Sequence, residues 1–102
     1  MSENTDDSIV LGGNIELSGF RSLDPGSMFI LKKIVGTNVR KLSNKLTNIQ
    51  KISIHMKIAG GEIEIAAKLV DDGKVYNSSV SDKNLFFAVD KAFEKLDTSL
   101  RK

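Results

Sequence analysis

Lys33, Arg40 and Lys41, flanked by Lys32 and Lys45, gather the densest positive charge of this 102-residue chain into one short segment. On a helix turning about 100° per residue, Lys33, Thr37, Arg40 and Asn44 share one side, with Lys41 beside them. The chemistry open to such a row is electrostatic, not covalent. It neutralises phosphates, with an affinity that falls as salt rises and depends little on base sequence. A merely solvated helix face carries the same pattern, so charge alone leaves both readings open. Phe29 projects near the edge of the row, and Phe87 falls on the polar side of a later helix. Exposed rings there could stack on unpaired bases or seed a dimer contact; the commoner arrangement tucks them against a neighbouring loop.

Residues for covalent or metal chemistry are sparse. The chain has no cysteine, which excludes disulfides, thiol catalysis and cysteine-based metal sites. His55 is the single histidine, stands at an outward strand position and has no sequence partner for a relay or a metal. Asp71-Asp72-Gly73 is a turn sequence without the length or spacing of a calcium loop. Gly12-Gly13 and Gly60-Gly61 do not fit a phosphate-cradling fingerprint. The expectation is therefore no catalytic residue, no metal, no cofactor and no enzyme.

Net charge is only +2, but it is unevenly spread. Residues 1–23 carry −3, residues 24–50 carry +4, and residues 51–102 carry +1. A basic patch on the first helix is better supported than a generally basic protein. No apolar run of about 18 residues exists, so no membrane span is expected, and the start lacks a basic-then-apolar signal pattern. The expected location is cytoplasmic.

The elements that must position these residues follow from periodicity. Residues 1–13 read as a flexible acidic tail and residues 14–102 as a single domain. Within the tail, Ile9, Val10 and Leu11 form a short apolar patch that either docks on the body or makes an extra strand. Residues 14–20 alternate as a strand. Asp24 suits an N-cap and Pro25 the first helical position, where its missing N–H is no loss. Met28, Leu31, Val35, Val39, Leu42 and Leu46 then make an apolar stripe, predicting a helix over 24–46. Gly36 inside it costs up to about 1 kcal/mol relative to alanine, and marks close packing or a slight bend.

Residues 51–58 alternate cleanly, with Ile52, Ile54, Met56 and Ile58 on one face and Lys51, Ser53, His55 and Lys57 on the other. Gly60-Gly61 turns into residues 62–69, and a second turn leads to a more polar strand over 74–80. Lysines on one strand and glutamates on the next predict a solvated outer face with cross-strand ion pairs. Ser81 or Asp82 caps a last helix with the core stripe Leu85, Val89, Ala92, Phe93, Leu96 and Leu100. The fold class is α+β, in the order β-α-β-β-β-α. It is a four-stranded mixed sheet, its first two strands parallel across a helical crossover, with both helices on one face.

The segment Asn84-Leu85-Phe86-Phe87-Ala88-Val89-Asp90, then Glu94-Lys95-Leu96 and the closing Arg101-Lys102, resembles the end of ribosome hibernation-promoting factors. That family includes ribosome-associated inhibitors and sigma-factor modulation proteins, and typically reads Asp-Leu-Tyr-Ala-Ala-Ile-Asp there, followed by Asp-Lys-Leu. Ile15-Glu16-Leu17-Ser18-Gly19 is similar to its first strand and residues 51–58 to its second. Asn84, Phe86 and Phe87 depart from its usual Asp, Tyr and Ala. The resemblance implies a non-enzymatic factor that binds the small ribosomal subunit or its RNA and silences translation. By position it implies RNA contact by Lys32, Lys33, Arg40, Lys41 and Lys45 on the first helix and Lys91, Lys95, Arg101 and Lys102 on the second. It also implies a fold like that of double-stranded-RNA-binding domains. The alternative is a protein-interaction or homodimerisation module of the same fold without RNA binding, with Phe29, Phe87 or the Ile9–Leu11 patch at the contact.

Overall fold

Strand alternation sets the sheet, and the sheet sets where the helices can lie. The computed structural model describes residues 9–11 and 14–100. In chain order the elements are β1 Ile9–Leu11, β2 Ile15–Ser18, α1 Pro25–Ser43, β3 Ile49–Ala59, β4 Glu62–Asp71, β5 Lys74–Asp82 and α2 Leu85–Leu100. The sheet runs β1-β2-β3-β4-β5, with β2 and β3 parallel across α1 and every other pairing antiparallel.

The sheet therefore has five strands, not four. Ile9–Leu11 pairs with β2, Ile9 opposite Leu17 and Leu11 opposite Ile15, and so covers the edge that β2 would otherwise leave open. Residues 1–8, the beginning of the expected tail, lie outside the described residues.

One face of the sheet is buried and carries both helices. Leu17 from β2, Ile52, Ile54 and Met56 from β3, and Ile65, Ala67 and Leu69 from β4 meet Leu31, Val35 and Leu42 of α1 and Val89, Phe93 and Leu96 of α2. Phe20, in the turn after β2, is fully buried with them. That turn depends on Gly19: its φ of +84° belongs to the left-handed region, and a Cβ there would stand 2.2 Å from the Met56 carbonyl oxygen.

The start of α1 is built as its sequence predicts. The Asp24 carboxylate accepts from the Ser27 N–H at 3.0 Å, and Pro25 occupies the first turn. Its end comes earlier than the apolar stripe suggests, at Ser43 instead of Leu46. The Lys45 N–H turns back to the Leu42 carbonyl at 2.9 Å, tightening the last turn, while Leu46 still packs on the core.

The start of α2 differs from expectation as well. β5 continues to Asp82, which pairs with Ile63, so neither Ser81 nor Asp82 can cap the helix. Asn84 does: its side-chain oxygen accepts from the Phe87 N–H at 3.0 Å. Asp82 supports this cap by accepting from the Asn84 N–H at 2.9 Å.

Asp71 ends β4 and is the buried charged residue among the described ones. Its carboxylate accepts from the Asn48 N–H at 2.8 Å and so holds the connection between α1 and β3. On the outer face, the ion pair that forms is Lys51–Glu16 at 3.2 Å, between β3 and β2. Lys57 stands opposite Glu64 across β3 and β4 with no ion pair recorded among the described residues. His55 is exposed there, 2.9 Å from the Ser18 hydroxyl.

Candidate nucleic-acid interface

The outward side of α1 follows from its inward side. With Leu31, Val35 and Leu42 buried, a rotation of about 100° per residue turns Phe29, Lys33, Gly36 and Arg40 to solvent as one ridge, with Lys32 next to it. Phe29 is 60% exposed, and the Lys33 ammonium sits 4.6 Å from the centre of its ring. This cation–π contact orders both side chains without neutralising the charge. Lys32, Lys33, Arg40 and Lys41 are exposed, and among the described residues none is within ion-pair distance of a carboxylate.

The remaining predicted cations are placed differently. Lys45 lies in the turn after α1 and is ion-paired with Asp97 of α2. Lys91 points away from α1 and binds Asp82 at 2.6 Å. Lys95 donates to the Ser79 carbonyl of β5 at 3.2 Å. Arg101 and Lys102 lie outside the described residues. The side of α2 that faces α1 is acidic instead: Asp90, Glu94 and Asp97 line one wall of a groove whose other wall carries Asn38, Lys41 and Lys45. Among the described residues the helices thus form no shared basic ridge, and the cations on them that lack a carboxylate or carbonyl partner are those of α1.

That division has a local cause. Asn38 donates to the Asp90 carboxylate at 3.1 Å and Lys45 reaches Asp97, contacts that each join residues 52 apart. A constant offset means that α1 and α2 run in the same direction, locked side by side. Lys45 and Asp97 in the groove are spent on this lock, whereas Lys32, Lys33 and Arg40 on the outer side of α1, and Lys41 on the groove wall, are not. At the far edge, the hydrogen bond from Lys91, reinforced by the Asn84 N–H, holds the Asp82 carboxyl below its ordinary value of 3.8. The Asp24 carboxyl is held low in the same way by its bonds to Ser27.

Phe87 is 62% exposed on α2. Gly36 was expected to mark close packing or a bend, yet a Cβ built there meets nothing within 4 Å. The inter-helix clamp by Asn38 was not visible in the sequence. A polar residue beside the apolar stripe was the one available signal. No group of His, Asp or Glu side chains among the described residues is arranged to hold a metal ion.

Residues 31–102 match the family model described as sigma 54 modulation protein / S30EA ribosomal protein. The chain belongs to this family. The match begins within α1 and includes the Asn84–Asp90 segment on which the resemblance to hibernation factors rests. Among solved structures, a ribosomal subunit interface protein from Coxiella burnetii superposes with a TM-score of 0.65 at 16% identity, covering 86% of this chain and 91% of that one. The N-terminal domain of Protein Y from Thermus thermophilus gives 0.60 at 17% identity, covering 70% of this chain and 79% of that one. At such identities the likeness is one of fold. No curated protein matches the chain in sequence. Among the described residues, no helix of this S30EA-family chain is long and apolar enough to cross a membrane.

Proposed function

We propose that this protein is a non-enzymatic, cytoplasmic RNA-binding factor that associates with the small ribosomal subunit and modulates or silences translation. The observation that carries this reading is the exposed row Lys32, Lys33, Arg40 and Lys41 on α1, without carboxylate partners among the described residues and next to an exposed Phe29. Cations already paired offer little to an incoming phosphate, whereas unpaired ones release counterions on binding. Membership of the S30EA family and likeness in fold to a ribosomal subunit interface protein argue for the same partner. Kinship with double-stranded-RNA-binding domains, inferred from the order of elements, favours RNA more generally.

On this reading α1 makes the main contact, and Phe29 offers a face for stacking on an unpaired base. Lys45, Lys91 and Lys95, already engaged, contribute less, and Arg101 and Lys102 extend the contact at the chain end. The test is co-sedimentation with purified small subunits at low salt. Wild-type protein travels with them, and the Lys33→Glu/Arg40→Glu/Lys41→Glu variant does not; equal co-sedimentation of the two would refute the reading.

A second reading has its own support in Phe87, an exposed large ring on α2. It makes the domain a homodimerisation module. Light scattering distinguishes it: a dimer dissociated by Phe87→Ser supports this reading, and a monomer unchanged by that substitution removes it.

A further inference from the structure

Gly36 is the least expected residue on the ridge. It interrupts a 19-residue helix, yet the space beside it is open, with nothing inside the protein for a Cβ to strike. Its φ is not positive, so no backbone requirement of α1 explains it either. A glycine that weakens a helix without serving internal packing leaves one physical advantage: an outside group can come closer to the backbone there than any side chain would permit.

Its neighbours indicate which group. Lys32 and Lys33 lie one turn before Gly36 and Arg40 one turn after, all exposed. Phe29, two turns before, closes one end of the row beneath the Lys33 ammonium. On the flank of α1 that faces α2, Asp90, Glu94 and Asp97 share the groove with Lys41 and Lys45 and offset their charge. The Gly36 side has cations with no such acids beside them and is the better approach for a polyanion.

We propose that Gly36 is a docking notch where one sugar–phosphate strand of RNA lies against bare helix, its phosphates held between Lys32, Lys33 and Arg40. This rests on the RNA-binding reading above and adds to it a single footprint on α1, set by shape as well as charge. The notch gives stability and binding opposite signs. Replacing Gly36 by alanine improves helix propensity and raises Tm by about 4 °C, while the added methyl pushes the strand outward. Gly36→Gln, longer and uncharged, has the same direction of effect on Tm and a larger one on binding.

The experiment measures Tm of each variant and its affinity for purified small ribosomal subunits at two salt concentrations, beside wild type and the Lys33→Glu/Arg40→Glu/Lys41→Glu protein. Gly36→Gln is expected to bind about tenfold more weakly, a 1.4 kcal/mol change. The slope of affinity against salt stays unchanged because no charge is removed. Gly36→Gln that binds like wild type, or loses binding only in step with a fall in Tm, overturns the notch and leaves the RNA reading standing. Wild type and the charge-reversed protein binding alike would remove both.

Discussion

The two helices of this domain lie on the same sheet and run side by side, but they use their residues in different ways. α2 buries Leu85, Ala88, Val89, Ala92, Phe93 and Leu96, and its lysines are tied to Asp82 and to the Ser79 carbonyl. α1 is longer, 19 residues against 16, yet fully buries only Leu31, Val35 and Leu42 and leaves its outer cations without carboxylate partners among the described residues. A surface ion pair contributes little to stability, about 0–1 kcal/mol, but it removes a charge from circulation. α1 carries Lys32, Lys33, Arg40 and Lys41 and no acid, whereas α2 sets Lys91 and Lys95 against Asp90, Glu94 and Asp97, so composition and local pairing together leave the unpartnered positive charge of the two helices on α1.

The comparison breaks first under core truncation. Phe93→Ala in α2 is expected to cost about 3–5 kcal/mol, measured by urea denaturation, because the ring is almost fully buried against the sheet. Lys33→Ala together with Arg40→Ala should show the reverse profile: stability within about 0.5 kcal/mol per site, and a clear loss of small-subunit binding in sedimentation. A large stability loss from that pair would mean that the ridge is structural. Next in size comes the cap of α2, where Asn84→Ala should lower stability by about 1 kcal/mol and Asn84→Asp should retain most of it.

The smallest effect is that of acid. Asp24 and Asp82 have lowered folded-state values, so the stability they add is present above the ordinary value of 3.8 and is lost as pH falls through the depressed ones. Asp24 is exposed and Asp82 half-buried, and both stand at helix starts. Amide exchange in the first turns of α1 and α2 should therefore quicken below the ordinary carboxylate range, before the core residues respond. Asp24→Asn should remove that response in α1 alone.

Much of the fold was legible because its periodicities are long. Ile52 to Ile58 alternate through four apolar positions, and Asp24-Pro25 marks a helix start on two independent grounds. β1 was not decidable because three residues followed by two glycines have no period; the open edge of β2 makes them a strand. Leu46 continues the stripe of α1, so the stripe does not reveal that the helix has already ended; the Lys45 N–H turning back to the Leu42 carbonyl does. At the start of α2, Ser81, Asp82 and Asn84 are all cap-type residues. The length of β5 chooses among them, and that length is set by pairing with β4.

The site divides along the same line. A row of cations on α1 can be read from spacing, because a helix carries its own ruler. Whether each cation is engaged depends on groups in other elements, as with Lys45 and Asp97, which are 52 positions apart, and the helical period does not reveal that. Lys91 and Lys95 stand among acids in a nearly charge-balanced helix, and they are engaged because β5 passes beside them.

The common direction of α1 and α2 has an effect beyond packing. Antiparallel neighbours cancel the polarity of their peptide groups, whereas these two add theirs, about half an elementary charge of each sign at the respective ends of each helix. The side chains answer this shared polarity: Asp24 and Asp82 stand where the two helices begin, and Arg40 and Lys41 stand where α1 ends, so each doubled pole meets charge of the opposite sign.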